Sequence, residues 1–260
     1  MSATVEYVYC VVPATFEPAA MPTGIDDSRV HSVSSAALTA LTCSLDGASY
    51  ASDIVAEKVG DPEWLSPRAV AHDALVTWAA DRGSVVPLPM WVMFTDDSGV
   101  SSMLMDRERE FMDALARVNG AREFCVRIAA DRTALAAAAE QMDATLSGLE
   151  RQAGLATPGE AYLLGRKLAE ARKAATRNAA VRIAEDAHHA LSQESRSAVA
   201  RATPAASEQG VILDGAYLVA DENYEQFRTD LTRLMASFEP LGVHFDFTGP
   251  WPPYHFVRES

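Results

Sequence analysis

VILDGAYLVADENYEQFRTDLTRLMASFEPLGVHFDFT, Val211 to Thr248, decides the fold of this 260-residue chain. Val211 to Val219 is an apolar, β-rich run of strand length, with Asp214-Gly215 reading as a bulge or turn. Glu222 to Phe238 places Tyr224, Phe227, Leu231, Leu234 and Phe238 on one helical face, and Gly242 closes that helix. Val243 to Thr248 then alternates as a strand. Glu123 to Ala129 is another alternating strand, and helical sequence follows it. Strand, helix, strand, used twice, predicts a ferredoxin-like unit in an α+β chain.

Between these strands the pattern turns helical. Asp131 to Gln152 carries Leu135, Ala139, Met142, Leu146 and Leu149 at heptad-like spacing. Thr157-Pro158-Gly159-Glu160 is a capping box, and no breaker follows it before Pro204. The stripe of the second helix (Leu164, Leu168, Ala171, Ala175, Ala179, Ile183, Ala187, Leu191) is rich in alanine, so it needs a closely approaching partner helix. A helical hairpin or coiled coil over about 131–203 is expected, followed by a linker at Thr203 to Gln209. The expected division is a first α+β domain, 1–120, and a ferredoxin-like domain, 121–260.

In the first domain, Val5 to Val12 is a strand of near-continuous apolar residues. Arg29 to Ser34 and Ala37 to Ser44 are weaker strands, and Ser52 to Val59 a short helix. Ser66-Pro67 is a good helix start, with Val70, Ala74, Leu75 and Trp78 on one face and Gly83 at the end. Ser84 to Phe94 is apolar, but Pro87 and Pro89 demote its middle to an edge or bend. Ser98 to Val118 reads as one helix.

A net charge of −14 opposes binding to nucleic acid or anionic lipid. No apolar run is long enough to span a membrane and no secretory signal is visible, so a cytoplasmic protein is expected. Cys10, Cys43 and Cys125 lack any CxxC spacing and read as buried free thiols. Neither a nucleophile elbow, nor a phosphate loop, nor a zinc-protease or dinucleotide motif occurs. His188 and His189 point about 100° apart on a helix and read as a solvated face. His72-Asp73 reads as a packed or surface pair, and Asp96-Asp97 as a helix cap. No catalytic residue, cofactor or metal is expected; the chain reads as a non-enzyme.

Three stretches are candidates for binding a partner. Met90, Trp91, Met93 and Phe94 form a methionine-rich apolar run suited to adaptable recognition. Arg166, Lys173 and Arg177 belong to six cations between Arg166 and Arg182, opposed there only by Glu170; they are either a solvated face or a docking strip for an acidic partner. Trp251 and Tyr254 sit in Thr248-Gly249-Pro250-Trp251-Pro252-Pro253-Tyr254-His255-Phe256, too rich in proline for helix or central strand. They either close the domain's own core or anchor a partner.

That last segment resembles the signature end of the GvpL/GvpF family of gas vesicle proteins. Glu6-Tyr7-Val8-Tyr9, Asp61-Pro62-Glu63-Trp64-Leu65 with Ala71-His72, Val85-Val86-Pro87-Leu88-Pro89, Gly120-Ala121-Arg122-Glu123-Phe124 and Gly215-Ala216-Tyr217-Leu218-Val219 resemble other family segments, in order. Met90-Trp91-Val92-Met93-Phe94 departs from an arginine- and glycine-containing stretch common in the family. The resemblance, nearer to the F-like members though not separable from the L-like, implies an N-terminal α+β domain and a modified ferredoxin-like C-terminal domain. It also implies a non-enzymatic accessory or minor wall protein, cytoplasmic and associated with the gas vesicle wall. The implied partners are the small hydrophobic main shell protein (GvpA-like) and other accessory proteins. An alternative is a structural component built into the gas-facing side of the wall.

Overall fold

A computed structural model describes residues 4–142, 144–201 and 210–257. The Met142 side chain and the linker expected at 203–209 lie outside the described residues. The chain divides into two compact units: residues 1–123 with 250–260, and residues 124–249.

The first unit is built on strand β1 (Thr4–Pro13), fully buried from Tyr7 to Val12. It pairs antiparallel with β3 (Leu38–Asp46), which pairs antiparallel with β2 (Val30–Ser35). On the other side of β1 run two short pieces, β4 (Val86–Pro87) and β5 (Met93–Phe94). Pro87 and Pro89 thus lie at the sheet margin, where a missing donor is tolerated. Helix α1 covers Ser52–Lys58 and α2 covers Pro62–Ala80. The latter starts five residues earlier than Ser66-Pro67 suggested. Asp61 is its N-cap, accepting from the Glu63 N–H at 3.0 Å, and Pro67 is carried inside the helix. The expected helix from Ser98 to Val118 is two, α3 (Asp97–Asp106) and α4 (Glu108–Val118). Arg107 between them leaves helical geometry at φ −113°, ψ 18°.

The second unit holds β6 (Ala121–Ala130, its first residues in the first unit), α5 (Arg132–Met142), α6 (Ala144–Leu155) and α7 (Pro158–Gln193). Then come β7 (Ser197–Arg201), β8 (Val211–Ala220), α8 (Tyr224–Phe238) and β9 (Val243–Trp251). The strand order is β7-β8-β6-β9. A four-stranded sheet of βαββαβ sequence is the ferredoxin-like arrangement, with α5 to α7 as the first crossover.

Two expectations are corrected here. The long helix stops at Gln193, and Ser197–Arg201 is a strand, because it finds an antiparallel ladder on β8 from Ser197↔Leu218 to Arg201↔Asp214. That same ladder runs evenly through Asp214 and Gly215, so they make no turn and no bulge against β7. The capping box does open α7: the Glu160 carboxylate accepts from the Thr157 N–H at 3.2 Å. Leu168, Ile183, Ala187 and Leu191 of the expected stripe are buried. Phe124, Tyr217 and Phe227 fill the core between sheet and helices, each such side chain contributing about 2–3 kcal/mol by burial.

Candidate functional site

The groups with chemical potential in the first unit converge on α2. Its inward face is His72, Leu75, Val76 and Ala79. The His72 ring is stacked on Tyr9, with ring centres 5.6 Å apart. Its Nδ1 accepts from the Tyr7 hydroxyl at 2.7 Å, which in turn accepts from the Trp91 N–H. On the other side the imidazole donates to the Leu88 backbone. Burial holds this imidazole well below the ordinary range, at about 4, so it is neutral at pH 7. Burial also pushes the phenols of Tyr7 and Tyr254 up, keeping them protonated.

This relay fixes the segment between β4 and β5. Leu88 N–H donates to the Tyr9 carbonyl at 3.0 Å and Val8 N–H to the Val92 carbonyl at 2.9 Å. Pro89, Met90 and Trp91 form the bend between those anchors. Trp91 adopts φ 72°, a left-handed conformation costly for an aromatic residue. Its indole stacks on Trp64 at 5.1 Å, and Trp64 lies under the Arg68 guanidinium, 4.5 Å from the ring centre. Arg68 also pairs with Asp26 at 2.8 Å and donates to Tyr50 at 2.8 Å.

The four residues of the methionine-rich run therefore do different things. Trp91 and Met93 pack against the first unit's core, and Phe94 covers Gly99. Met90 instead lines a shallow cleft of about 450 Å³ with Pro87, Leu88, Pro89, Tyr254 and Val257, with His72 and Asp73 at its side. Tyr254 donates to Asp73 at 2.9 Å. Next to it, the buried Glu123 carboxylate accepts from the His255 N–H at 3.0 Å. Pro252, Pro253, Phe256 and Val257 are buried, while Trp251 stays 43% exposed. The tail closes a core, but that of the first unit rather than of the second half to which its sequence position assigned it.

In the second unit, Arg166, Lys173 and Arg177 are exposed along α7. Lys173 meets Glu170 at 3.5 Å, and Arg172 meets Glu140 at 3.0 Å as well as Glu150. His188 is not part of a solvated face: it is half-buried, with Nδ1 3.0 Å from the Tyr217 hydroxyl. The Tyr7–His72–Leu88 relay and the Met90–Tyr254 cleft were not legible beforehand, because each joins strand, helix and tail residues that share no local pattern. Among the described residues, no helix is long and apolar enough to cross a membrane.

The whole chain is similar in fold to crystal structures of gas vesicle protein GvpF from Anabaena (TM-score 0.74, 16% identity, covering 99% of both chains) and from Microcystis aeruginosa (TM-score 0.70, 17% identity, covering 98% of this chain and 99% of that one). In sequence it is 28% identical to gas vesicle protein L of a Streptomyces species, over 85% of this chain and 80% of the relative. It is 27% identical to gas vesicle protein L1 of Halobacterium salinarum, over 97% and 90%. The family model described as gas vesicle synthesis protein GvpL/GvpF matches residues 5–258. Residues from Val5 in the first strand to the buried tail fall inside that match, and the chain belongs to the GvpL/GvpF family.

Proposed function

We propose that this chain is a non-enzymatic assembly protein of gas vesicles that binds the hydrophobic main shell protein (GvpA-like) in the cleft between Met90 and Tyr254. Family membership ties the chain to gas vesicles; the observation that carries the finer reading is the cleft itself. It draws two candidates far apart in the sequence onto one frame, with the adaptable Met90 at its rim. A shell subunit must bury apolar surface or aggregate, and a partner of net charge −14 keeps the complex soluble. The neighbouring His72 and tyrosines serve as hydrogen-bonded braces: the imidazole is neutral and engaged at both nitrogens. The exposed strip of Arg166, Lys173 and Arg177 is assigned to contacts with other, acidic, accessory proteins.

Co-purification with shell protein from vesicle-forming cells tests this. Met90→Ser and Tyr254→Ser should each lower recovered shell protein more than about tenfold, as loss of a central apolar anchor does, while Arg166→Glu with Arg177→Glu leaves it unchanged. Full recovery with both cleft variants refutes the site. If the protein is instead built into the wall, it stays with purified vesicles through a urea wash that strips adsorbed proteins.

A further inference from the structure

Away from the cleft, on the other face of the first sheet's register, three side chains from three elements meet. Glu6 on β1 pairs across to Ser44 of β3, and His31 on β2 pairs across to Thr42 of β3. Ser44 and Thr42 are two residues apart, so all four side chains stand on one face of the sheet. The N-terminal end of α3 adds Asp97, just past the Asp96 cap.

The ligand atoms converge on His31 Nε2: Asp97 Oδ1 lies at 3.3 Å and Glu6 Oε2 at 3.5 Å. Three donor atoms, one from each residue, fall within 4.8 Å of one another. A tetrahedral zinc site with bonds of about 2.1 Å has ligand-to-ligand edges of about 3.4 Å, and both measured edges match it. Glu6 decides the matter. Its side chain is only 8% exposed, and Oε1 accepts from Ser44 at 2.7 Å. Oε2 is buried without a hydrogen-bond partner and aimed into the cluster. A buried carboxylate oxygen left so is costly unless a cation completes it. Ser44 then plays the orienting part that outer residues play at metal centres. Exposure rises from Glu6 through His31 (35%) to Asp97 (60%), leaving an entry path.

We propose that Glu6, His31 and Asp97 form a binding site for a divalent transition-metal ion of the Zn²⁺ class. One imidazole with two carboxylates is a donor set that suits zinc and its neighbours better than Ca²⁺ or Mg²⁺, which favour all-oxygen sites. The Thr42 hydroxyl, 3.0 Å from His31 Nε2, would give way to the metal at that nitrogen. Bound metal would tie β1, β2 and α3 together at one point.

Calorimetric titration of the chelator-treated full chain with Zn²⁺ tests this, with Co²⁺ absorption as a second readout. The expected result is saturation at one ion per chain, abolished by His31→Ala and weakened more than about tenfold by Asp97→Asn. The Co²⁺ visible bands of a tetrahedral site should vanish in the same variants, and His189→Ala, an exposed control on α7, should change nothing. Asp97 is exposed, so its variant keeps the test sound even if Glu6→Gln fails to fold. Absence of saturable one-to-one binding, or a titration unchanged by His31→Ala, overturns the proposal and leaves the cluster as a hydrogen-bonded histidine.

Discussion

Lowering the pH from 7 to 5 should loosen the first unit through His72. The side chain is 4% exposed in its residue, and burial lowers its folded pKa from 6.5 to about 4. Between those values the unfolded chain binds a proton that the folded chain refuses. Stability is therefore complete above about pH 6.5 and falls as the pH drops toward 4, where the folded form protonates too. Integrating the linkage from pH 7 to 5 gives a loss of about 2 kcal/mol, or a fall of roughly 1 M in urea midpoint. All four tryptophans (Trp64, Trp78, Trp91 and Trp251) belong to the first unit, so indole fluorescence reports on that unit. Carboxylates also titrate near pH 5, and His72→Asn separates them: its carbonyl can still accept from Tyr7, but it carries no titrating proton. The wild type should lose about 2 kcal/mol more than the variant over this range. Parallel midpoints for the two proteins would refute the neutral, buried His72.

Two glycine substitutions probe the frame of each unit. Gly24→Ala drives a methyl group into the Tyr9 hydroxyl and within 2.7 Å of Ser28 Oγ; Tyr9 cannot swing away because it accepts from the Ile25 N–H at 2.8 Å. A loss of about 2–3 kcal/mol is expected in indole-monitored unfolding. Gly242→Ala combines φ +74° with a collision against the Ala134 methyl, where the Gly242 carbonyl accepts from the Asp131 N–H at 2.8 Å. It should cost about 2–4 kcal/mol, seen as faster hydrogen exchange across Val211–Ala220 and unaltered tryptophan fluorescence.

What the sequence announced were elements with strong local patterns. The strand at Val5–Val12, the amphipathic α8 and the capping box at Thr157 all stand close to where periodicity put them. The errors share one physical origin: tertiary partners overrode local signals. Ser197–Arg201 has no strand-like composition, and its strand state comes from the ladder on β8. Asp61-Pro62 and Ser66-Pro67 are rival helix starts, and the Asp61 cap wins. Met90 was legible as an apolar candidate, and so was Tyr254. Their meeting was not, since no pattern in 250–257 states which core it seals. Glu6, His31 and Asp97 lay hidden for the same reason, visible only once the register through Thr42 and Ser44 is known.

Synthesis runs from the amino end, yet Pro252, Pro253, Phe256 and Val257 are buried in the unit that begins the chain. The unit translated ahead of the second is thus completed after it. At ribosomal speeds of roughly 5–20 residues per second, its half-built core waits about 7–30 s for its closing segment. During that interval a nascent chain exposes the apolar ground the tail will cover, so chaperone capture and premature clipping should target ribosome-bound intermediates. A stop codon just ahead of Pro250 would leave the front half, not the back, unfinished.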